Sequence, residues 1–505
     1  MEALRHDLPA FALSVAGLLV LVGVGEALRV WGRVSAEDSR RVVHAGVGVF
    51  VALTPYLFER PDLVYVLAVG FVMVNYGMLR RGWLHGIHGT ARRSLGTVTF
   101  PLALLPALAV CWTAAPGRLF ALQLAFLILA FADPLASVVG TRLGGEANED
   151  VSIKTRVGSA AFFVSAVLLS LGALIWFRIE GKIDWSGGEV VVAVFVVALV
   201  STAVEALGRK GWDNFFIVQA VIVTLVVFDE QPEARLVLAG AVGAGLAFGG
   251  AAYRLRFLNG PGAIAGGLLA ASLIGLGGWA WTVPAFAFFV LSSLLSQVGR
   301  RRKAAVELVS QKGSRRDAGQ VYANGGVGWT LLLLYAVFPT EILFWGFLGA
   351  FAAATADTWA TELGTLSPKP PRLITTGRAV PCGTSGAVSV LGTVGAFGGA
   401  LVIGLSAWPF AAARYAQVGV LAAVGAVVLG GFLASLVDSL AGATIQARFR
   451  DPRTGQETER SASAASEHLL VRGWRWLGND QVNWLCTFSG AVFAMACFLA
   501  ADFAS

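Results

Sequence analysis

The sequence predicts an all-α polytopic membrane protein of about sixteen transmembrane helices in two helical-bundle halves. Three observations lead there. Of 505 residues, 56% are hydrophobic and only 14% charged, where an ordinary soluble domain carries about 25% charged residues. The apolar residues fall into stretches near the ~20 residues a helix needs to cross about 30 Å of hydrocarbon. Lys and Arg gather in alternate loops. This composition excludes a soluble multidomain enzyme, and it excludes a disordered or nucleic-acid-binding chain despite the net charge of +7. Cys111, Cys382, Cys486 and Cys497 form no close pair, so neither a disulfide framework nor a CxxC metal site is expected.

In chain order the stretches are 10–31, 43–58, 61–79, 97–113, 117–139, 157–178, 189–207 and 214–229, then 234–252, 261–277, 279–299, 325–338, 341–364, 386–408, 415–447 and 481–502. They divide the chain into halves, residues 1–232 and 233–505. The first stretch exceeds a signal-peptide core and lacks a small-residue cleavage site, so it is expected to remain a helix. The stretch 415–447 is long enough to be bent or broken. Gly-rich runs such as Gly240–Gly250 and Gly392–Gly404 read as close helix packing.

Orientation follows from the loops. The odd-numbered loops hold thirty Lys and Arg residues, among them Arg33, Arg92, Lys154, Lys210, Arg301, Lys369 and Arg460. The even ones hold six: Arg60, Arg118, Arg178, Lys182, Arg235 and Arg414. The asymmetry places the odd loops in the cytoplasm and both termini outside, as in a bacterial-type inner membrane.

Carboxylates in such spans are costly unless they face a cation, a partner or water, so each is a candidate site residue. They are Asp133, Glu205, Asp357, Glu362 and Asp438, all toward the odd-loop ends of their helices. Asp133 is followed seven residues later by Gly140, and Asp357 by Gly364. Beyond each comes a loop with small residues at a helix start: Lys154-Thr155-Arg156-Val157-Gly158-Ser159 in the first half, Thr375-Thr376-Gly377-Arg378 and Cys382-Gly383-Thr384 in the second. Pairing Gly158 with Gly383 gives nearly equal Asp-to-Gly separations, so both read as one local device. Further polar clusters are Arg40-Arg41-x-x-His44, Asp213-Asn214, Lys312 with Arg316-Asp317-x-x-Gln320-x-x-x-Asn324, and Asn479-Asp480-x-x-Asn483.

This is phosphate-handling chemistry. Glycine at a helix N-terminus exposes backbone N–H groups where the dipole favours an anion. Lys and Arg pair with phosphate oxygens, and carboxylates hold Mg²⁺. Asp133, Glu205, Asp357 and Asp438 are the expected catalytic carboxylates. Mg²⁺ is assigned to Asp133, Asp357, Glu362, Asp438, Asn479, Asp480 and Asn483, with the remaining cluster residues on nucleotide or phosphate. Asp451–Ser466 reads as a mobile cytoplasmic loop. Its basic and acidic neighbours across 448–480 nearly cancel, so no headgroup site is expected there.

On these motifs, residues 35–230 resemble the phytol kinase and polyprenol or dolichol kinase family of CTP-dependent membrane kinases, relatives of phosphatidate cytidylyltransferases. Pro134, directly after the Asp, departs from that pattern and is expected to change how its helix ends. Residues 235–500 are similar to the membrane family containing plant phytyl-phosphate kinases. The match is carried by Arg316-Asp317-Ala318-x-Gln320, Ala356-Asp357-Thr358-Trp359-Ala360-x-Glu362-Leu363-Gly364, Asp438-Ser439-x-x-Gly442 and Asn479-Asp480-x-Val482-Asn483. The resemblance implies a fusion of two kinases acting in turn on an isoprenoid alcohol such as phytol, to monophosphate and then diphosphate. CTP would be the donor, with UTP or ATP as alternatives, and the active sites would face the cytoplasm. Two other readings stay open, a cytidylyltransferase forming a CDP-lipid and a secondary transporter.

Overall fold

The computed structural model describes residues 2–32, 34–81, 95–143, 154–299, 315–453, 455, 457–459, 461–463 and 466–504. It forms two compact units, Met1–Ala239 and Gly240–Ser505. Every expected span is a helix: α1 Glu2–Val30, α2 Ala36–Leu57, α3 Asp62–Arg81, α4 Gly96–Leu108, α5 Leu119–Leu143, α6 Arg156–Ile179, α7 Gly187–Leu207, α8 Asp213–Glu230, α9 Arg235–Arg254, α10 Gly260–Ser272, α11 Trp279–Gln297, α12 Ala318–Val337, α13 Glu341–Gly364, α14 Val390–Ser406, α15 Val420–Thr444 and α16 Asn479–Ala504. Among the described residues, thirteen helices are long and apolar enough to cross a membrane. The three others, α2, α8 and α12, carry polar groups within their own length, and these include Arg41 and His44, Asp213 and Asn214, and Gln320 and Asn324. The chain is an integral, multi-pass membrane protein.

Local chemistry explains the breaks. The stretch 415–447 is divided at Gly419, whose φ of 87° ends a short helix, Ala412–Val418, before α15 begins. Pro134, by contrast, does not end its helix, and α5 continues to Leu143. The expectation of a changed helix end is therefore corrected. Neighbouring helices can compensate the one backbone bond that Pro removes within a membrane.

Loops confirm the alternation of helix direction inside each unit. In the first, Leu95 N–H donates to the Lys210 carbonyl at 2.8 Å, joining two odd loops, while Lys182 Nζ donates to the Tyr56 hydroxyl at 2.7 Å, joining two even ones. In the second, Asn259 N–H donates to the Arg316 carbonyl at 3.1 Å, and Arg414 Nη2 donates to the Tyr335 hydroxyl at 2.6 Å across the even loops.

Of the thirteen spans, α5 and α13 are the most buried in their units. On α5 burial runs from Phe120 almost unbroken to Ala132, and on α13 from Phe344 to Ala356. Each buried run stops at its aspartate, Asp133 or Asp357. Lipid supplies no hydrophobic drive between helices, so close packing holds them together. Small residues permit it: a Cβ on Gly431 would stand 2.7 Å from Ala352 Cβ, and one on Gly430 would stand 2.9 Å from Ala494 N.

Short strands occur only in the second unit's loops, among the described residues. They are β1 Arg372–Leu373, β2 Ala387–Val388, β3 Arg448–Arg450, β4 Glu457–Thr458, β5 Ala462–Ser463, β6 Ser466–Glu467 and β7 Leu469–Arg472. β1 pairs with β2, β5 with β6, and β3 lies between β4 and β7, all antiparallel. The segment read as a loop from Asp451 to Ser466 thus contributes strands to a small sheet.

Candidate functional site

In the first unit, three helices each bring a carboxylate to one ammonium. Lys154 Nζ lies 3.3 Å from Asp133 Oδ1 on α5, 2.8 Å from Glu205 Oε1 on α7 and 2.9 Å from Asp213 Oδ2 at the start of α8. Lys154 is held there because the next residue, Thr155, caps α6: its side chain accepts the Gly158 N–H at 3.1 Å. Ser159, in the first turn of α6, donates to Glu205 Oε2 at 2.9 Å. Burial works against the charge on Lys154, and Asp133, Asp213 and Glu205 outweigh it, holding the ammonium above the ordinary lysine range. Lys154 thus sets a positive charge beside Asp133, where Mg²⁺ is also expected.

The helix α2 grips α5 on either side of Asp133. His44 Nε2 is 3.0 Å from the Leu129 carbonyl, one turn before, and its ring meets Phe100 edge-on. Arg41 Nη2 donates to Ser137 Oγ at 2.9 Å, one turn after, while Nη1 binds Asp38 at 2.7 Å. Asn214 ties α8 to α4 through the Gly96 carbonyl at 2.9 Å. His44 and Asn214 therefore position helices, and Arg41 stands at the rim.

Gly158 faces a helix rather than open space. A Cβ there would stand 2.9 Å from the Ala136 carbonyl and 3.4 Å from Gly140 Cα. Its N–H is already taken by Thr155. The second unit repeats this contact at a different glycine: a Cβ on Gly392 would stand 2.7 Å from the Ala360 carbonyl and 3.4 Å from Gly364 Cα, and Ser389 caps α14 by accepting the Gly392 N–H at 3.1 Å. The pairing of Gly158 with Gly383 is corrected accordingly. A hairpin intervenes before α14, and Gly383 sits in a turn of that loop with φ of 86°. The residue before the cap is Lys154 in the first unit and Val388 in the second.

The second unit's carboxylates radiate from one three-helix contact. Ala353, Ala434 and Cys486 form a buried cluster, in which Cys486 Sγ lies 3.4 Å from the Ala434 carbonyl. One turn toward the odd loops from each stand Asp357, Asp438 and Asn483, with Asp480 a further turn along α16 and Asn479 at its start. The i, i+3 and i+4 relations keep each on its helix's inner face. The Asp357 and Asp438 carboxylates interact directly with one another. Asp438 Oδ2 is buried without a hydrogen-bond partner among the described residues. Two carboxylates this close do not both carry charge without a proton or a cation between them.

The other predicted residues lie around this centre. Asp317 and Gln320 form a capping box for α12, each side chain accepting the other's N–H at 2.9 and 3.1 Å, and Asn324 Nδ2 donates to the Gln320 carbonyl. Each thus makes at least one bond that serves the helix itself. The Arg316 guanidinium lies over Phe288 and Phe289; burial lowers its pKa, with Glu362 opposing. Thr375, Thr376 and Thr384 belong to the 365–389 loop, where Thr384 Oγ1 donates to the Pro381 carbonyl at 2.8 Å. That loop docks on α15: a Cβ on Gly442 would stand 3.0 Å from Gly386 N. Lys312 lies outside the described residues. Among the described residues no three His, Cys, Asp or Glu side chains converge as a metal cage. Sequence reasoning missed Ser389 and Gly392 as the second unit's repeat of Thr155 and Gly158; the shared Ala-Asp-x-x-Ala-x-x-x-Gly stretch was the signal that pointed to them.

Fold and site together define a polytopic integral membrane protein with an acidic cluster at the odd-loop rim of each unit. Residues 243–491 match the model of the family described as integral membrane protein DUF92. The chain belongs to that family. Protein PGR of Arabidopsis thaliana is 31% identical over 237 residues, 43% of this chain and 81% of its own length. An uncharacterized membrane protein of Methanocaldococcus jannaschii is 34% identical over 191 residues, 38% of this chain and 76% of its own. A Glycine max protein named "Probable phytol kinase 2, chloroplastic" is 27% identical over 206 residues, 41% of this chain and 69% of its own. No solved structure matches.

Proposed function

We propose that the chain is a bifunctional membrane kinase. The first unit phosphorylates phytol or a related prenyl alcohol, and the second phosphorylates the resulting monophosphate to the diphosphate, with CTP as donor. The prenyl chain lies among the apolar helices, and both head-group sites face the cytoplasm. The kinase-named relative supports the reaction class. The observation that carries the division of labour is the contrast between the Lys154 cluster and the Asp357–Asp438 pair.

In the first reaction the alcohol oxygen bonds to the terminal phosphorus of CTP, the bridging P–O bond breaks, CDP leaves, and the hydroxyl proton needs an acceptor. Asp133 is best suited to take it. Its carboxylate is the most exposed of the three, at 19% against 12% for Asp213 and 1% for Glu205, and it makes the longest contact to Lys154. Glu205 has both oxygens engaged and fixes Lys154 toward the phosphates.

The second substrate is already an anion at neutral pH, since a phosphomonoester's second pKa is about 6. It needs charge neutralisation more than a base. The partnerless oxygen of Asp438 beside Asp357 fits a divalent cation, which Mg²⁺ fills with one or two carboxylates, water and substrate phosphate. Bound there, it would neutralise charge building on the transferred group. Asn483 and Asp480, one and two turns along α16 from Cys486, would orient its waters, and the 365–389 loop would cover the head group.

The test is mass spectrometry of lipid and nucleotide products after incubating purified protein with Mg²⁺, a panel of prenyl alcohols and each nucleoside triphosphate. The proposal expects prenyl monophosphate, then diphosphate, with CDP released. Pyrophosphate release with a CDP-lipid, or nucleotide-independent vesicle uptake of the alcohol or its phosphate without product, would overturn it.

A further inference from the structure

The loop between α15 and α16 holds a pair of arginines that nothing above uses. Arg448 and Arg472 are directly opposed across β3 and β7, and a bulge follows between Arg448 and Phe449. Opposed residues on antiparallel strands share one face, and like charges so placed destabilise the pair. Bulges commonly re-aim a side chain beside a site.

Their surroundings satisfy them only in part. Arg448 is 6% exposed, and its Nη2 is buried with no hydrogen-bond partner among the described residues; Glu459 Oε1 stands 3.5 Å away, a charge contact without hydrogen-bond geometry. Arg472 Nη2 donates to the Gly442 carbonyl at 2.8 Å, in the last turn of α15, while its Nε is buried without a partner among the described residues. Burial and then the like charge of Arg448 lower the Arg472 pKa. A guanidinium pair with one member buried, the other part-exposed, and a buried, unbonded nitrogen on each calls for an anion.

The location is specific. Gly442 lies one turn beyond Asp438 on α15. Ser385, from the 365–389 loop, donates to Gln446 Oε1 at 2.8 Å and to Glu459 Oε1 at 3.3 Å, so both loops of this unit meet here. The first unit places Lys154 before its helix cap, whereas the second has Val388 and must draw positive charge from elsewhere.

We propose that Arg448 and Arg472 form an oxyanion site that grips a phosphate group beside Asp438, with Glu459 holding Arg448 ready when no anion is bound. Guanidinium forks suit phosphate because paired N–H groups match its oxygens. The ligand is a phosphate carried either by the nucleotide or by the prenyl monophosphate. That identity rests on the second-unit reaction proposed above, but the oxyanion site does not.

The experiment uses the full chain in lipid nanodiscs and measures binding calorimetrically. One arm adds inorganic tripolyphosphate, and the other adds geranylgeranyl monophosphate to the bilayer. The expected result is binding of at least one probe, weakened at least about tenfold by Arg448→Gln and by Arg472→Gln, and strengthened by Glu459→Gln, which removes the competing carboxylate. The responding arm names the source of the phosphate. If an arginine variant fails to fold, the gain in Glu459→Gln decides. Binding of neither probe, unchanged affinity in both arginine variants, or weaker binding in Glu459→Gln overturns the site. Binding that behaves as expected in a protein that transfers no phosphoryl group upholds the oxyanion site and removes the kinase reading.

Discussion

The rims of the two units solve one electrostatic problem in different ways. Asp133, Glu205 and Asp213 close on Lys154, a cation carried by the chain itself. Asp357 and Asp438 close on each other and leave an oxygen without a partner among the described residues. The helix scaffold beneath is the same in both: an Asp where the most buried helix meets the rim, a hydroxyl cap, and a glycine pressed on the carbonyl three residues past the Asp. Before the cap that scaffold carries Lys154 in the first unit and Val388 in the second, and the proposed function gives the second unit a bound cation in place of a built-in one.

Removing the built-in cation sharpens the contrast most. Lys154→Met should destabilise the first unit by about 3–5 kcal/mol, the cost of leaving a buried charge uncompensated, and abolish monophosphate formation. Thermal unfolding and product analysis measure both. Because Lys154 is held above its ordinary range in the fold, the cluster's stabilisation is fully present below the unfolded lysine pKa of about 10.4. It is lost only as pH rises through the higher folded value. Stability of this unit should therefore stay flat across neutral pH and decline in strong alkali.

The borrowed cation should behave oppositely. Mg²⁺ at a hundredfold excess over its dissociation constant should stabilise the protein by about 2.7 kcal/mol. Asp438→Asn should unfold no more readily than the parent in chelator, because it relieves a like-charge contact, yet lose the Mg²⁺-induced shift in Tm. An equal Mg²⁺ shift in that variant would break the comparison.

Packing beneath the rims gives smaller effects. Gly392→Ala meets the Ala360 carbonyl at 2.7 Å and Gly158→Ala the Ala136 carbonyl at 2.9 Å; each should cost about 1–3 kcal/mol, the second-unit variant more. Ser389→Ala and Thr155→Ala each remove one cap bond and should cost about 1 kcal/mol. Chemical denaturation in detergent ranks the four.

Helices were legible because a bilayer imposes a length and an apolar composition on any segment that crosses it. The alternation of basic and neutral loops was equally plain, and Gly419 could break a stretch whose length already invited a break. Local rules misled where packing decided. Pro134 looked like a stop, and Gly383 looked like the repeat of Gly158 because the separation from its Asp matched. Only the hairpin of β1 and β2 shows that Gly392 holds that place. The partners of Lys154 lie 21, 51 and 59 residues away, counting to Asp133, Glu205 and Asp213, so no local pattern announced that they share one ammonium. Arg448 and Arg472 were hidden for a similar reason. Their charges cancel against neighbours in composition, and strands of three and four residues are too short to show alternation.

Paired aspartate variants test the central claim most directly. Asp133→Asn and Asp357→Asn, each confirmed folded, are given CTP, Mg²⁺ and geranylgeraniol or its monophosphate, and the lipid products are weighed. Two separate centres predict that Asp133→Asn makes no monophosphate yet converts supplied monophosphate to diphosphate, while Asp357→Asn stops at the monophosphate. Equal loss of both steps in both variants would contradict the account.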